Sequence, residues 1–168
     1  IESTVSSLFS LEYPKEKLSI ILVNDGSTDK TKELFERYAQ SGEATVIHKE
    51  NGGKHTALNA GIAIANSEFV GCLDADSVVT PKALKRIMAN FDDSTIGAVT
   101  SSMSVHAPRT ILERMQEAEY LFGIMLRHTF ATVNGLYVTP GPFTIYRKKV
   151  FEELGMFREA HQTEDMEI

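Results

Sequence analysis

Short, nearly continuous apolar runs, each handed on to a stretch of helical period, constrain this chain more than any other feature. Leu18–Val23 ("LSIILV") is the first such run. It has the character of a strand buried on both faces. "NDGSTD" follows as a turn, with Gly26 as punctuation. Ser27 or Thr28 is placed to cap a helix running to about Gln40, and Gly42 ends it. Ala44–His48 reads as a second strand, Asn51-Gly52-Gly53 as a loop, and Lys54–Ala65 as a helix. Phe69–Leu73 is a third strand. Thr80-Pro81 opens a helix reaching about Asn90. Ile96–Ser101 is a fourth strand, Arg109–Thr132 a long helix, Phe143–Arg147 a last strand and Lys149–Leu154 a short helix. Strands alternating with helices of this length predict an α/β layer fold with a mostly parallel sheet. In such sheets ligands bind beyond the carboxyl ends of the strands. Asp25 and the pair Asp74/Asp76 both fall there, so both are expected to face one crevice.

At 168 residues the chain has the length of one domain, and 42% apolar residues suffice for a core. A net charge of −6 argues against a nucleic-acid partner, which calls for a basic stripe. The single cysteine, Cys72, lies inside an apolar run and reads as a small core thiol. The apolar region from Tyr120 to Phe143 is broken by Arg127, His128 and Asn134, so no bilayer-spanning run of about 20 residues is expected. In the long helix, Met115, Tyr120, Leu121, Met125 and Leu126 form an apolar face that an ordinary core contact explains more simply than a membrane interface. The start "IESTVSSLF" has neither a basic segment nor a methionine, and "TEDMEI" is no terminating pattern. A piece of a larger protein is expected.

Several residues are candidates for chemistry. Alternate positions of a strand project to one side, so Asp74 and Asp76 can turn two carboxylates toward one point. Such a pair suits Mg²⁺ or Mn²⁺ together with substrate phosphates; it equally suits strand-end turns. Asp25 is either plain Asn-Asp-Gly turn chemistry or an acceptor for a nucleobase or ribose. "NGGKHTALNAG" (Asn51–Gly61) leads a glycine loop into a helix start, a place attractive to phosphate, with Lys54 adding charge. It does not match a P-loop. "HQTED" ends in Asp165, either an acid in a helix first turn or a general base. His48, His55, His106, His128 and His161 have no ligand spacing and read as structural or surface residues.

Taken in order, "IILVNDGSTD" (Ile20–Asp29), "NGGKHTALNAGI" (Asn51–Ile62), "FVGCLDADS" (Phe69–Ser77), "TPGPFTIYRKKVFEELGMF" (Thr139–Phe157) and "TED" (Thr163–Asp165) resemble glycosyltransferase family 2, the inverting enzymes of GT-A fold. The nearest likeness is to the membrane polysaccharide synthases of poly-N-acetylglucosamine, hyaluronan, chitin and cellulose. The resemblance implies a single catalytic domain over residues 1–168, a UDP-sugar donor, a carbohydrate or lipid-linked acceptor, and Mg²⁺ or Mn²⁺. It implies that Asp25, Lys54 and Asp74 bind the nucleotide sugar, that Asp76 ligates the metal, that Gly141 and Glu164 lie on the acceptor side, and that Asp165 is the catalytic base. It further implies a parent protein associated with the cytoplasmic side of a membrane. The family's first strand and its Q-x-x-R-W segment are not found between Ile1 and Ile168.

Three rivals are open at this stage. "LDADSVV" also resembles the opening of haloacid-dehalogenase-type phosphatases, with Asp74 as nucleophile and Asp76 as acid; Asp92-Asp93 is too close to serve as that family's distal acidic pair. A sugar-nucleotide-forming nucleotidyltransferase has a similar sheet, but the "TED" segment speaks against it. A non-catalytic nucleotide-sugar binder has no use for Asp165.

Overall fold

A computed structural model describes residues 1–133, 135 and 142–159. The chain begins with a helix, α1 (Glu2–Phe9), which the polarity pattern does not announce. Its inward residues include hydroxylic ones. Thr4 and Ser7 are buried, with Thr4 Oγ1 donating to the Ala75 carbonyl and Ser7 Oγ accepting the Val79 amide. A short 3₁₀ turn at Lys15–Lys17 leads to β1 (Ile21–Asp25), which thus starts three residues later than predicted and includes Asp25 as its last residue. Helix α2 covers Thr31–Gln40. Neither Ser27 nor Thr28 caps it. The Asn24 side chain takes the Ser27 amide and the Asp29 side chain takes the Thr31 amide, so two turns separate β1 from α2.

The remaining elements are β2 (Thr45–Lys49), α3 (Lys54–Ile64), β3 (Phe69–Leu73), α4 (Ala83–Met88), β4 (Ala98–Thr100), α5 (Ile111–Thr132), β5 (Phe143–Arg147) and α6 (Lys148–Leu154). The Thr80-Pro81 start of α4 does not hold. The Thr80 carbonyl accepts the Ala83 amide in a preceding turn. β4 is shorter than predicted: the Gly97 carbonyl still accepts the Arg147 amide, but the Ile96 carbonyl is taken by the Arg147 side chain.

Strands β1 and β2 pair in parallel, with Asp25 opposite Lys49. A second sheet has the order β3-β5-β4. β5 is antiparallel to both neighbours, so β3 and β4 share one direction although both pairings of this sheet are antiparallel; among the described strands, β1 and β2 form the parallel pair. Four consecutive β5 residues, Phe143–Tyr146, are buried, as befits a strand covered on both faces. One face packs Phe143 and Ile145 against Leu84, Ile87 and Phe91 around α4. The other packs Tyr146 against Ile62, Phe151 and Phe157. Helices α1 and α3 tie the two sheets together. Val5 joins Leu22 and Phe35 beside β1, while Leu8 joins the α4 cluster; Gly61 lies on Val23 while Ile62 belongs to the Tyr146 cluster. A fully buried aliphatic such as Ile62 contributes about 1.5–3 kcal/mol.

Because β5 is antiparallel to β4, the chain leaves β4 and returns to β5 at the same rim. The Asp74 amide donates to the Pro142 carbonyl (2.8 Å) and the Ser101 amide to that of Phe143 (2.9 Å) there. Within this excursion α5 starts at a capping box formed by Thr110 and Glu113. Its apolar residues do not form a core face. Ile111, Leu112, Met115, Leu121, Phe122, Met125 and Leu126 are exposed, while Glu113, Glu117, Tyr120, Ile124 and Arg127 hold the half-buried positions. The helix is laid with its apolar stripe outward. No helix among the described residues is long and apolar enough to cross a membrane.

Candidate active site

The parallel register sets the first contact. Asp25 and Lys49 end neighbouring strands as direct partners, and Lys49 Nζ donates to Asp25 Oδ1. The loop after β2 then turns back over the same carboxylate. The Gly52 amide donates to Oδ1 (3.1 Å) and the Gly53 amide to Oδ2 (3.0 Å). Two glycines make this approach possible. A side chain on Gly26, whose φ is +71°, would strike the Asn51 backbone, its Cβ 2.6 Å from the amide nitrogen. At Gly52 a Cβ would lie 2.8 Å from Thr56 Oγ1 and 3.1 Å from Lys49 Nζ. The Asn-Asp-Gly turn and the glycine loop are therefore one packed unit.

From that unit α3 sets out, and its first residue reaches across to the other sheet. Lys54 Nζ lies 2.7 Å from Asp74 Oδ1, both side chains being partly exposed. Asp25, Lys54 and Asp74 are thus brought into one contiguous chain of contacts, Asp25 through the loop amides to Lys54 and on to Asp74. Beneath the ion pair runs a narrow recess between α3, β3 and β5, lined by Leu58, Cys72, Thr144, Tyr146 and Phe157. Cys72 is half-buried there. Asp76 does not join the ion pair. It is exposed in the turn that follows, where the Ser77 amide donates to the Asp74 carbonyl and Ser77 Oγ to Asp76 Oδ1. No group of three or more His, Cys, Asp or Glu side chains placed to hold a metal ion occurs among the described residues. Two carboxylates in one turn still fit a hard divalent cation that keeps most of its oxygen ligands from water and phosphate.

Burial pushes the Asp25 carboxyl up, but the hydrogen bonds from Lys49 and the Gly52 and Gly53 amides, with the Lys49 charge, outweigh it and hold it below 3.8. A depressed folded value contributes stability that is present above 3.8 and lost as pH falls through the folded value. Asp25→Asn is therefore expected to flatten the acid limb of a stability-versus-pH curve, measured by urea unfolding at successive pH values. His48 has the structural role expected of it, its two ring nitrogens meeting Asn24 and Glu36. Gly141, His161, Glu164 and Asp165 lie outside the described residues. Lys49 was not among the expected site residues. Its one signal in the sequence is a lysine just past the predicted strand Ala44–His48 and two residues before the glycine loop.

A family model described as glycosyl transferase family 2 matches residues 1–155. The chain belongs to glycosyltransferase family 2, and its fold is the GT-A fold. The poly-beta-1,6-N-acetyl-D-glucosamine synthase of Staphylococcus aureus (strain COL) is 36% identical over 173 residues, a match covering 100% of this chain and 41% of that protein. The synthase of the same name from Staphylococcus epidermidis is 32% identical over 171 residues, again covering 41% of its length. The chain thus spans about two fifths of these relatives. Among solved structures, TarS residues 1–349 of S. aureus in complex with UDP-GlcNAc superposes with a TM-score of 0.71 at 22% identity, covering 98% of this chain and 47% of that one. The mannosyltransferase PcManGT of Pyrobaculum calidifontis, in complex with GDP-Man and Mn²⁺, gives 0.70 at 23%, covering 99% and 46%. Family membership sets aside the phosphatase reading of "LDADSVV".

Proposed function

We propose that residues 1–168 form the catalytic domain of a polysaccharide synthase that moves a sugar from a UDP-sugar to a hydroxyl of a growing glycan or lipid-linked acceptor, with inversion. The observation that carries this reading is the continuous path from Asp25 through the Gly52 and Gly53 amides and Lys54 to Asp74. It joins an acceptor suited to a base N–H with a cation suited to a diphosphate, and does so at the carboxyl ends of strands. Asp76 would hold Mg²⁺ or Mn²⁺, with Asp74 beside it binding the nucleotide sugar; the cation neutralises charge on the leaving diphosphate when bound. Lys54 adds its positive charge at the same rim. Asp165 takes the proton from the acceptor hydroxyl. The acceptor oxygen then bonds to the anomeric carbon as that carbon's bond to the diphosphate oxygen breaks, and UDP leaves. Gly141 and Glu164 are assigned to the acceptor side. The outward apolar stripe of α5 supports association of the whole protein with a membrane, and we assign this domain to the cytoplasmic side.

Calorimetry with UDP tests the reading. Binding is expected in the presence of Mn²⁺, to weaken when the metal is omitted, and to be lost in Asp76→Ala. Equal UDP binding by that variant in Mn²⁺ would return Asp76 to a plain turn role.

A further inference from the structure

Lys49 spends all of its donors inside the protein. Its ammonium meets Asp25 Oδ1, the Glu50 carbonyl (2.6 Å) and Thr56 Oγ1 (2.8 Å), three acceptors for three N–H groups. The side chain is 24% exposed and its partner Asp25 is 19% exposed. With no donor left over, Lys49 has nothing to offer a ligand directly. Asp25 is different. Among the described residues, Oδ1 accepts from both Lys49 and the Gly52 amide, whereas Oδ2 accepts from the Gly53 amide alone. A carboxylate oxygen takes about two hydrogen bonds, so Oδ2 keeps one acceptor position. Thr56 completes the brace, since its hydroxyl also donates to the Gly53 carbonyl and so ties Lys49 to the loop whose amide holds Oδ2.

We propose that Lys49 is a positioning residue that sets base selectivity: it clamps Asp25 Oδ1 against the Gly52 amide, and thereby aims the spare lone pair of Oδ2 at the imide N–H of a uracil base. This rests on the UDP-sugar reading above. The chemistry discriminates between bases. Uracil presents a donor at N3; cytosine presents an acceptor there, which a fixed carboxylate repels. Released from Lys49, the Asp25 side chain turns about its own bonds, and the distinction fades.

Calorimetry in Mn²⁺ with UDP and CDP, on the protein and on Lys49→Met, Asp25→Asn and the double variant, tests this. The protein is expected to prefer UDP. Lys49→Met should lose about 10- to 100-fold in UDP affinity, the worth of a charge-assisted hydrogen bond, while CDP affinity changes little. The double variant should be no weaker for UDP than Asp25→Asn, because Lys49 acts through Asp25. A residue that merely supports the fold would weaken both nucleotides alike, or leave both unchanged; either result overturns the proposal. Should Lys49→Met fail to fold, Thr56→Val removes one of the three acceptors, and a fall in the UDP-to-CDP ratio supports the proposal where an unchanged ratio overturns it. If the protein itself binds no UDP in Mn²⁺, the donor reading falls and this inference with it. If it binds UDP and only the ratio is unmoved, the inference alone falls.

Discussion

Replacing Asp165 by asparagine is expected to lower turnover by about 10²–10⁴-fold, the contribution of a positioned general base. UDP affinity should stay where it was. Asparagine is nearly isosteric but cannot accept the acceptor's proton, so only the step that consumes the hydroxyl proton is touched. The measurement is UDP release from a UDP-sugar, read as kcat with saturating acceptor, beside UDP binding by calorimetry. The pattern discriminates among readings that the sequence leaves open. A non-catalytic nucleotide-sugar binder would show no turnover to lose. An unchanged kcat in an active protein would remove Asp165 from the chemistry and require another base. A parallel loss of UDP affinity would place the residue in donor binding instead.

The parts of this site that were legible in the sequence are those where one side chain dominates its surroundings. β3 and β5 have the bounds their apolar runs mark out, because each run is closed by residues that a ladder tolerates poorly or that a turn favours. Asp25 and Asp74 could be picked out because each follows or ends such a run, and Lys54 because it stands where the glycine loop enters a helix. What the sequence could not show is register. Lys49 becomes the partner of Asp25 only because β2 pairs with β1 in parallel with those two residues opposite. No spacing within the chain expresses that. α1 escaped notice for a different reason: its inward residues include Thr4 and Ser7, whose hydroxyls are satisfied by carbonyl and amide groups of the Ala75–Val79 segment, so the helix carries no clean apolar stripe. α5 misled in the opposite sense. Its stripe is real, but it faces outward, and a hydrophobic period reports which residues share a face without saying what covers it.

Arg147→Met is expected to cost about 3 kcal/mol of stability, because it leaves two partly buried carbonyls without donors and removes the guanidinium from two rings. Arg147 ends β5 at the edge opposite the site and is 17% exposed. Its Nε donates to the Ile96 carbonyl (3.0 Å) and one Nη to that of Phe91 (2.7 Å). Its guanidinium also lies over the rings of Phe69 and Phe91, 5.0 and 5.4 Å from their centroids. The ion pair with Glu68 matters least, since Glu68 is 71% exposed and such pairs contribute about 0–1 kcal/mol. Glu68→Ala should therefore leave the midpoint nearly unchanged, whereas Arg147→Met should lower Tm by about 6–12 °C for a domain of this size. Lysine should rescue only in part, because a compact ammonium cannot span both carbonyls and stack on the rings as a planar fork does. A loss in Glu68→Ala equal to that in Arg147→Met would mean the ion pair, not the carbonyl clasp, holds this end. Where the Arg147→Met protein is still folded, its UDP affinity should match that of the parent sequence. The two ends of β5 then separate cleanly: Phe143 borders the rim where nucleotide chemistry is proposed, and Arg147 fastens β5 to the chain leading into β4 and to the end of the α4 segment.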